Sequence, residues 1–344
     1  MQNPFNITFG EIPESIISRE NDNKKILNSF LSSNPDTKVY VITGPRGCGK
    51  TVMLQTLTNE LRNNDFLIID LNPFLDLEEQ FASKVYEAGK LKKLFIHPEF
   101  SFSFKGLSFS INGNSEISNI TTLIEKMLEY LKKKNQKILI TIDDVNPNNN
   151  IKSFIYSYQQ MIRNNYNVFL LITGLYENVS EISSDKSLTF FLRAPKINLE
   201  PLNLLEITYL YKNTLKLDEK DAIKYAKLTK GYAYAYQLIG SLIFKNGISS
   251  NIIDEYDLNL MKNSYSLTWE RLTKREKEFL TALSETKNQK EICKKLNFSN
   301  GNLQTYKRRL LDKGLITQKE RGKLDFALPR FSEYVKLEYE LNND

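Results

Sequence analysis

The chain has 344 residues, 41% hydrophobic and 26% charged, with a formal net charge of +6, the composition of a globular protein with room for two domains or three small ones. Its two cysteines, Cys48 and Cys293, lie far apart and exclude a disulfide framework or a cysteine zinc site. No apolar run approaches the roughly 18 residues that cross a bilayer, and the opening MQNPFNITFG lacks the basic and apolar regions of a signal peptide, so a cytoplasmic location without membrane contact is expected.

The first residues read as an extended arm that turns helical near Asn21. Ser18 can cap that helix, Glu20 and Asp22 suit its first turn, and Ile26, Leu27, Phe30 and Leu31 form its apolar face. VYVIT, residues 39–43, then reads as a buried strand leading directly into GPRGCGKT. The spacing from Gly44 to Gly47, Gly49, Lys50 and Thr51 satisfies G-x-x-x-x-G-K-[ST] in the strand-then-helix context that this pattern needs. Glycines let successive backbone N–H groups point inward at phosphate oxygens, Lys50 can reach the β- and γ-phosphates, and the Thr51 hydroxyl can hold Mg²⁺. A helix over about Lys50 to Asn63 adds its positive N-terminal dipole. ATP with Mg²⁺ is therefore the expected cofactor, bound by Gly44, Pro45, Arg46, Gly47, Cys48, Gly49, Lys50, Thr51 and Val52.

DFLIIDLN reads as a second buried strand, and residues 75–96 as a helix. FSFSFKGLSFSING alternates about Lys105-Gly106, with Phe100, Phe102 and Phe104 on one face and Leu107, Phe109 and Ile111 on another. This is a β-hairpin over 100–111, either packed on the core or offered to a partner or a second copy. A helix from about Thr121 to Lys134 precedes the apolar strand KILITIDDV, and NVFLLITG and KINLEPL supply two more strands after a further helix. Solid apolar strands alternating with helices imply an α/β fold, a three-layer parallel sheet covered on both faces. Residues 201–265 are helical and tyrosine-rich throughout. The expected divisions are an arm over 1–24, a phosphate-binding core over 25–200, a helical lid over 201–265 and a last unit over 266–344. His97, the sole histidine, has no partner for zinc or general-base work and is expected to be structural or exposed. Trp269 and the helical tyrosines are expected to be packing residues.

Asp143 and Asp144 end a buried strand, so their carboxylates emerge at the sheet edge where the phosphate loop lies. One can hold Mg²⁺, placing Asp143 beside Thr51 as a metal residue, and the next, Asp144, can polarise an attacking water. Their position about ninety residues after the loop makes this more specific than two acids in a turn.

Several residues together resemble the AAA+ and STAND P-loop ATPases, in particular bacterial and archaeal members similar to replication initiators. PESIISRE, residues 13–20, resembles the arm that cradles adenine and implies a cofactor role for Arg19, with Ser18 where that arm usually has glycine. The resemblance places Thr173 of LLITG at the position that senses the γ-phosphate. It places Arg193 of FFLRAPKINLEPL at the arginine finger, which would serve a neighbouring copy in a homo-oligomer; a surface arginine or a contact within the same chain remains the alternative. KGYAYAYQLIG, residues 230–240, resembles the lid motif Gly-Tyr-Pro-Tyr-x-x-Gln, with Ala233 in place of proline. Asp144 stands where many AAA+ enzymes carry glutamate, and the lid motif has no arginine. Both departures resemble the STAND branch, which implies a slow ATPase acting as a switch.

From residue 266 onward the chain carries 17 Lys and Arg against 12 Asp and Glu, which concentrates most of the net positive charge there. Ser299 caps a helix over about Asn300 to Asp312, Gly314 closes it, and Ile316–Gln318 and Leu324–Ala327 alternate about Arg321-Gly322. The order of three helices and a hairpin resembles a winged helix-turn-helix over most of 270–331. That resemblance implies base or phosphate contacts on double-stranded DNA from Asn302, Gln304, Thr305, Lys307 and Arg308, and from Lys319, Arg321 and Lys323 on the wing. Leu303, Tyr306, Leu310 and Leu311 are expected in the core. Two functions follow: an ATP-dependent DNA-binding switch, or a signalling or defence ATPase whose winged unit and hairpin dock a protein partner. A metabolic kinase would need a phosphate-acceptor site that the sequence does not display.

Overall fold

The solid apolar runs form a parallel sheet, as their lack of alternation requires when both faces are covered. The computed structural model describes residues 2–8, 10, 12–89, 91, 102–104, 107–109 and 120–342. Strands β1 (Val39–Thr43) and β2 (Leu67–Leu71) precede a hairpin of β3 (Phe102–Phe104) and β4 (Leu107–Phe109); β5 (Ile138–Val145), β6 (Val168–Gly174) and β7 (Lys196–Asn198) follow. The sheet order is β2-β5-β6-β1-β7, all parallel, so β6 separates the strand that leads into the phosphate loop from the strand that ends in the two aspartates.

Seven helices surround this sheet among the described residues: α1 (Glu20–Leu31), α2 (Lys50–Asn63), α3 (Leu77–Ala88), α4 (Ile120–Lys133), α5 (Asn149–Arg163), α6 (Tyr176–Ser183) and α7 (Thr189–Leu192). Val41, Ile140 and Leu170 share a core with Phe81 and Val85 of α3, Leu128 of α4 and Phe154 of α5. The neighbouring residues of the same strands turn the other way. There Phe30 of α1 meets Tyr40 and Phe169 with ring centroids 5.6 and 5.0 Å away, and Phe66 joins Phe169 at 5.2 Å. The three layers expected from the sequence are thus each anchored by named side chains.

Helix α3 is shorter than the expected 75–96. Asp76 caps it by accepting from the Glu79 N–H at 2.9 Å, and the Gly89 N–H closes it on the Val85 carbonyl at 2.8 Å. The expected hairpin over 100–111 pairs Phe102 with Phe109 and Phe104 with Leu107. Phe100, Lys105, Gly106, Ile111 and His97 lie outside the described residues.

The chain divides into two compact units. Glu20–Thr43 and Lys50–Asn198 hold the sheet; Met1–Arg19, Gly44–Gly49 and Leu199–Asp344 form the other. The glycine loop therefore belongs with the later unit, where the sequence reading had placed it in the core over 25–200. The later unit contains α8 (Leu204–Thr214), α9 (Glu219–Thr229), α10 (Ala233–Asn246) and α11 (Ile252–Leu260), then a π-helical turn over Met261–Tyr265. After it come α12 (Ser266–Glu270), α13 (Lys274–Glu285), α14 (Gln289–Lys295), α15 (Asn300–Asp312), the hairpin β8 (Ile316–Glu320) and β9 (Lys323–Phe326), and α16 (Phe331–Leu341). A single core joins Tyr211, Tyr236 and Ile239 to Phe279, Leu310, Phe326 and Phe331.

The N-terminal arm enters that core through Phe5, whose ring lies 5.9 Å from Tyr211 and 5.6 Å from Tyr236. It occupies the space beside Gly240 of α10, where an added β-carbon would come within 2.4 Å of the ring. Glycine to alanine inside a helix ordinarily stabilises by about 1 kcal/mol. Gly240→Ala is expected to do the reverse and lower the thermal midpoint, because the arm must leave its seat; a raised midpoint would place Phe5 elsewhere.

Candidate functional site

The glycine loop is built from a turn and three external ties. The Cys48 N–H donates to the Pro45 carbonyl at 3.3 Å, and Gly47, third in that turn, has φ +77°, as a type II turn requires. Gly49 has φ +97° and hands the chain to α2. Three successive carbonyls are held from outside the loop. Tyr232 Oη donates to Arg46, the Tyr234 N–H donates to Gly47 at 3.0 Å, and Arg19 Nη2 donates to Cys48 at 3.0 Å. The other arm of the same guanidinium donates to the Glu200 carbonyl at 2.6 Å. Arg19, read from the sequence as an adenine-side residue, thus braces the loop backbone.

Lys50 and Thr51 open α2, with the Lys50 side chain buried; Val52 follows, half-buried. Thr51 Oγ1 donates to Asp143 Oδ2 at 2.8 Å, and Thr173 Oγ1 donates to Asp143 Oδ1. The Thr173 hydroxyl also accepts from the Asp144 N–H at 2.9 Å. One fully buried hydroxyl on β6 thereby fixes both acids of β5. The β5–β6 pairing shifts register between Ile142 and Val145, and Asp144 adopts φ +53° with its carboxylate exposed. Aspartate tolerates this left-handed conformation better than most residues. The structure therefore joins Thr51, Asp143 and Thr173 into one hydrogen-bonded cluster with Asp144 beside it. Arg193 stands exposed at the end of α7 and takes no part in that cluster.

The lid tyrosines were read from the sequence as packing residues, and the structure gives them polar work as well. Tyr236 Oη lies 2.5 Å from Ser15 Oγ, and burial pushes its phenol up to about 12 against the lowering effect of that bond. Gln237 Nε2 donates to the Ser15 carbonyl at 2.6 Å, while its Oε1 accepts from the Asn6 N–H at 3.0 Å. The PESIISRE arm is thus held to α10 by the glutamine and third tyrosine of YAYAYQ. These partners lie more than two hundred residues apart in sequence. The residue types of the motif were visible, and only a companion sequence change at Ser15 or Asn6 could have signalled the pairing.

The family described as "ATPase domain predominantly from Archaea" matches residues 17–242. The chain belongs to that ATPase family. A second family, described as a domain of unknown function, matches residues 262–335. No curated protein matches the chain. Among solved structures, the Walker-type ATPase of Pyrococcus abyssi is similar, with 15% identity, a TM-score of 0.66, and 96% of this chain and 99% of that chain covered. The Aeropyrum pernix ORC2 protein, solved as ADPNP–ADP complexes, has 13% identity, a TM-score of 0.62, and 98% and 97% covered. Cdc6p from Pyrobaculum aerophilum has 15% identity, a TM-score of 0.52, and 97% and 96% covered. At these identities the likeness establishes the fold, that of the Cdc6- and ORC-like AAA+ ATPases.

In this ATPase, Ser299 caps α15 by accepting from the Asn302 N–H at 3.2 Å, and Gly314 follows the helix with φ +67°. Leu303 and Leu310 are buried, while Tyr306 and Leu311, expected in the core, are only half-buried; Tyr306 stacks on Phe298 with centroids 5.2 Å apart. Asn302, Gln304, Thr305 and Arg308 lie exposed along α15, and Lys319, Arg321 and Lys323 are exposed on the β8–β9 hairpin. Lys307 is half-buried and donates to Gln318 Oε1 at 3.2 Å, and Lys323 pairs with Glu320 at 2.7 Å. Sequence reasoning missed α16, although Phe331, Tyr334 and Val335 carry the i, i+3, i+4 signature of its buried face. Tyr334 meets the Trp269 ring edge-on at 6.1 Å, so that tryptophan is a packing residue as expected.

Glu276 connects this C-terminal region to the loop. It is 1% exposed, completes a capping box with Thr273, and pairs with Lys313 at 2.9 Å. The next residue, Gly314, sits so close to the loop that an added β-carbon would lie 3.0 Å from Pro45 Cδ. Burial alone would raise the Glu276 carboxyl, but hydrogen bonds from Thr273 and Lys313 outweigh it and hold it below its ordinary 4.5. Its stabilisation is therefore complete above pH 4.5 and lost as pH falls through the depressed value. Glu276→Gln is expected to cost about 2 kcal/mol in denaturant melts at pH 7, with the gap to wild type closing below that pH. At the two-aspartate bend, Asp144→Gly is expected to be more stable than Asp144→Ala by about 1 kcal/mol, the reverse of the usual order, since only glycine enters the left-handed region freely.

Proposed function

We propose that this protein is an ATP-binding and ATP-hydrolysing switch whose nucleotide state controls a C-terminal winged helix that binds double-stranded DNA. The observation that carries the nucleotide reading is the cluster of Thr51, Asp143 and Thr173. A hydroxyl and a carboxylate oxygen 2.8 Å apart are hard donors of the kind Mg²⁺ takes, so Thr51 and Asp143 would hold the ion. Bound there, Mg²⁺ would neutralise charge on the β- and γ-phosphates. Lys50 pairs with the same phosphates, and the loop N–H groups with the start of α2 receive their oxygens. Thr173 keeps Asp143 and the Asp144 peptide in place, and the exposed Asp144 carboxylate orients the attacking water. Aspartate reaches one methylene less far than glutamate, consistent with slow turnover. Arg193 would serve the nucleotide of a neighbouring copy. The ORC2 protein of the same fold, solved with ADPNP and ADP, supports this assignment.

For the DNA step, support comes from the exposed polar side chains along α15 and the three basic side chains on the hairpin. Lys307 contributes through a contact already shared with Gln318. The approach of Gly314 to Pro45 supplies a route by which loop occupancy reaches the same helix.

Lys50→Ala is expected to abolish ATP binding in calorimetric titration, and Asp144→Asn to preserve binding while stopping phosphate release; retained affinity or unchanged turnover would overturn those roles. Anisotropy of a labelled mixed-sequence duplex, read with ATP-Mg²⁺, with ADP-Mg²⁺ and without nucleotide at two salt concentrations, should give salt-sensitive binding that differs between nucleotides. Arg308→Ala should reduce the salt slope by about one. Absence of binding in every state would transfer the reading to a protein partner, for which Leu205 and Tyr209, 79% and 68% exposed on α8, offer an apolar surface.

A further inference from the structure

Each peptide plane in the glycine loop is trans and nearly flat, so the N–H of one residue points opposite to the carbonyl of the residue before it. Fixing a carbonyl therefore aims the next N–H. With the Arg46 and Cys48 carbonyls held by Tyr232 and Arg19, the N–H groups of Gly47 and Gly49 are directed away from those ties. The Gly47 carbonyl is held by the Tyr234 N–H, and the Cys48 N–H that this aims closes the turn on Pro45. Among these ties the Tyr232 hydroxyl is the one that a single substitution removes while keeping the ring. It is also supported from behind: Ser264 Oγ lies 2.7 Å from the same oxygen.

Ser264 lies in the π-helical turn that follows α11. Its neighbours are engaged too. Asn263 Nδ2 donates to Tyr234 Oη at 3.0 Å, and Tyr265 Oη donates to the Pro329 carbonyl just before α16. The Tyr232 ring is buried, and Gly47 has no β-carbon because one would come within 2.3 Å of the Tyr232 oxygen. Burial raises the phenol well above its ordinary value, so the group remains a neutral donor across the working pH range.

We propose that Tyr232 is a positioning residue of the phosphate site: by donating to the Arg46 carbonyl, with Ser264 fixing its hydroxyl, it holds the Gly47 N–H in the orientation that receives a phosphate oxygen. This rests on the nucleotide reading above. Preorganised N–H groups bind an anion without first reorienting, so loss of the tie reduces phosphate affinity even when the ring still fills its place. ATP and ADP both present a β-phosphate to the loop and should weaken together.

The test is calorimetric titration of the full chain with ATP-Mg²⁺ and with ADP-Mg²⁺, for wild type, Tyr232→Phe, Ser264→Ala and Lys50→Ala, alongside the nucleotide-free thermal midpoint of each. Tyr232→Phe is expected to raise both dissociation constants about fivefold to tenfold, and Ser264→Ala both by about threefold. A purely structural tyrosine would lower the midpoint and leave the affinity of the folded protein within twofold of wild type, which would overturn the proposal. Should Tyr232→Phe not fold, Ser264→Ala decides alone, and unchanged affinity there overturns it. Wild type that does not bind ATP, or Lys50→Ala that binds as tightly as wild type, would instead remove the nucleotide reading and this inference with it. Weakened binding in Tyr232→Phe beside abolished binding in Lys50→Ala supports both.

Discussion

A loop that gathers backbone N–H groups toward one point has to send its carbonyls somewhere else, and that constraint organises much of this protein. Three consecutive carbonyls, those of Arg46, Gly47 and Cys48, leave the loop and meet donors from the arm and from the start of α10. A buried carbonyl without a partner costs on the order of 1–3 kcal/mol, so the lid and arm are needed for the loop to keep its shape. This accounts for the membership of Gly44–Gly49 in the unit formed by the arm, the lid and the C-terminal region. The lid motif is correspondingly dense in groups that can donate while filling space, since tyrosine offers a large apolar ring and one hydroxyl.

The same economy appears at the two-aspartate end of β5. Thr173 donates to one acid and accepts from the peptide of the next, so a single side chain on the neighbouring strand sets the geometry of both. It can do so because β6 lies between β5 and β1, which brings its C-terminal end beside both the acids and the strand feeding the loop. The left-handed backbone at Asp144 follows from the register shift there and turns the carboxylate outward while the chain continues into Val145.

What could be read from the residues alone follows the range of the interactions involved. Buried parallel strands announce themselves through continuous apolar runs, and the phosphate loop through local spacing, because each signal spans about ten residues. Helix α15, its Ser299 cap and the hairpin after it were legible for the same reason. The roles of Tyr232, Tyr236, Gln237 and Arg19 were not, because their partners lie between 29 and 231 residues away. Gly89 ended α3 early through a backbone bond that no side chain advertises. Helix α16 was overlooked although its apolar spacing was present, since the winged pattern already accounted for the residues before it.

The π-helical turn over Met261–Tyr265 carries a geometric meaning of its own. A π turn accommodates one residue more than an α turn, and each residue advances an α-helix by 100°. Removing one residue there would convert the turn to regular helix and rotate everything that follows by about that angle about the helix axis. Tyr265 would then face away from Pro329, and Ser264 away from Tyr232. The orientation of the C-terminal region against the lid is therefore encoded by a count of residues more than by the identity of any one of them. Relatives that differ by one residue in this turn would share both modules and present α15 in a different direction.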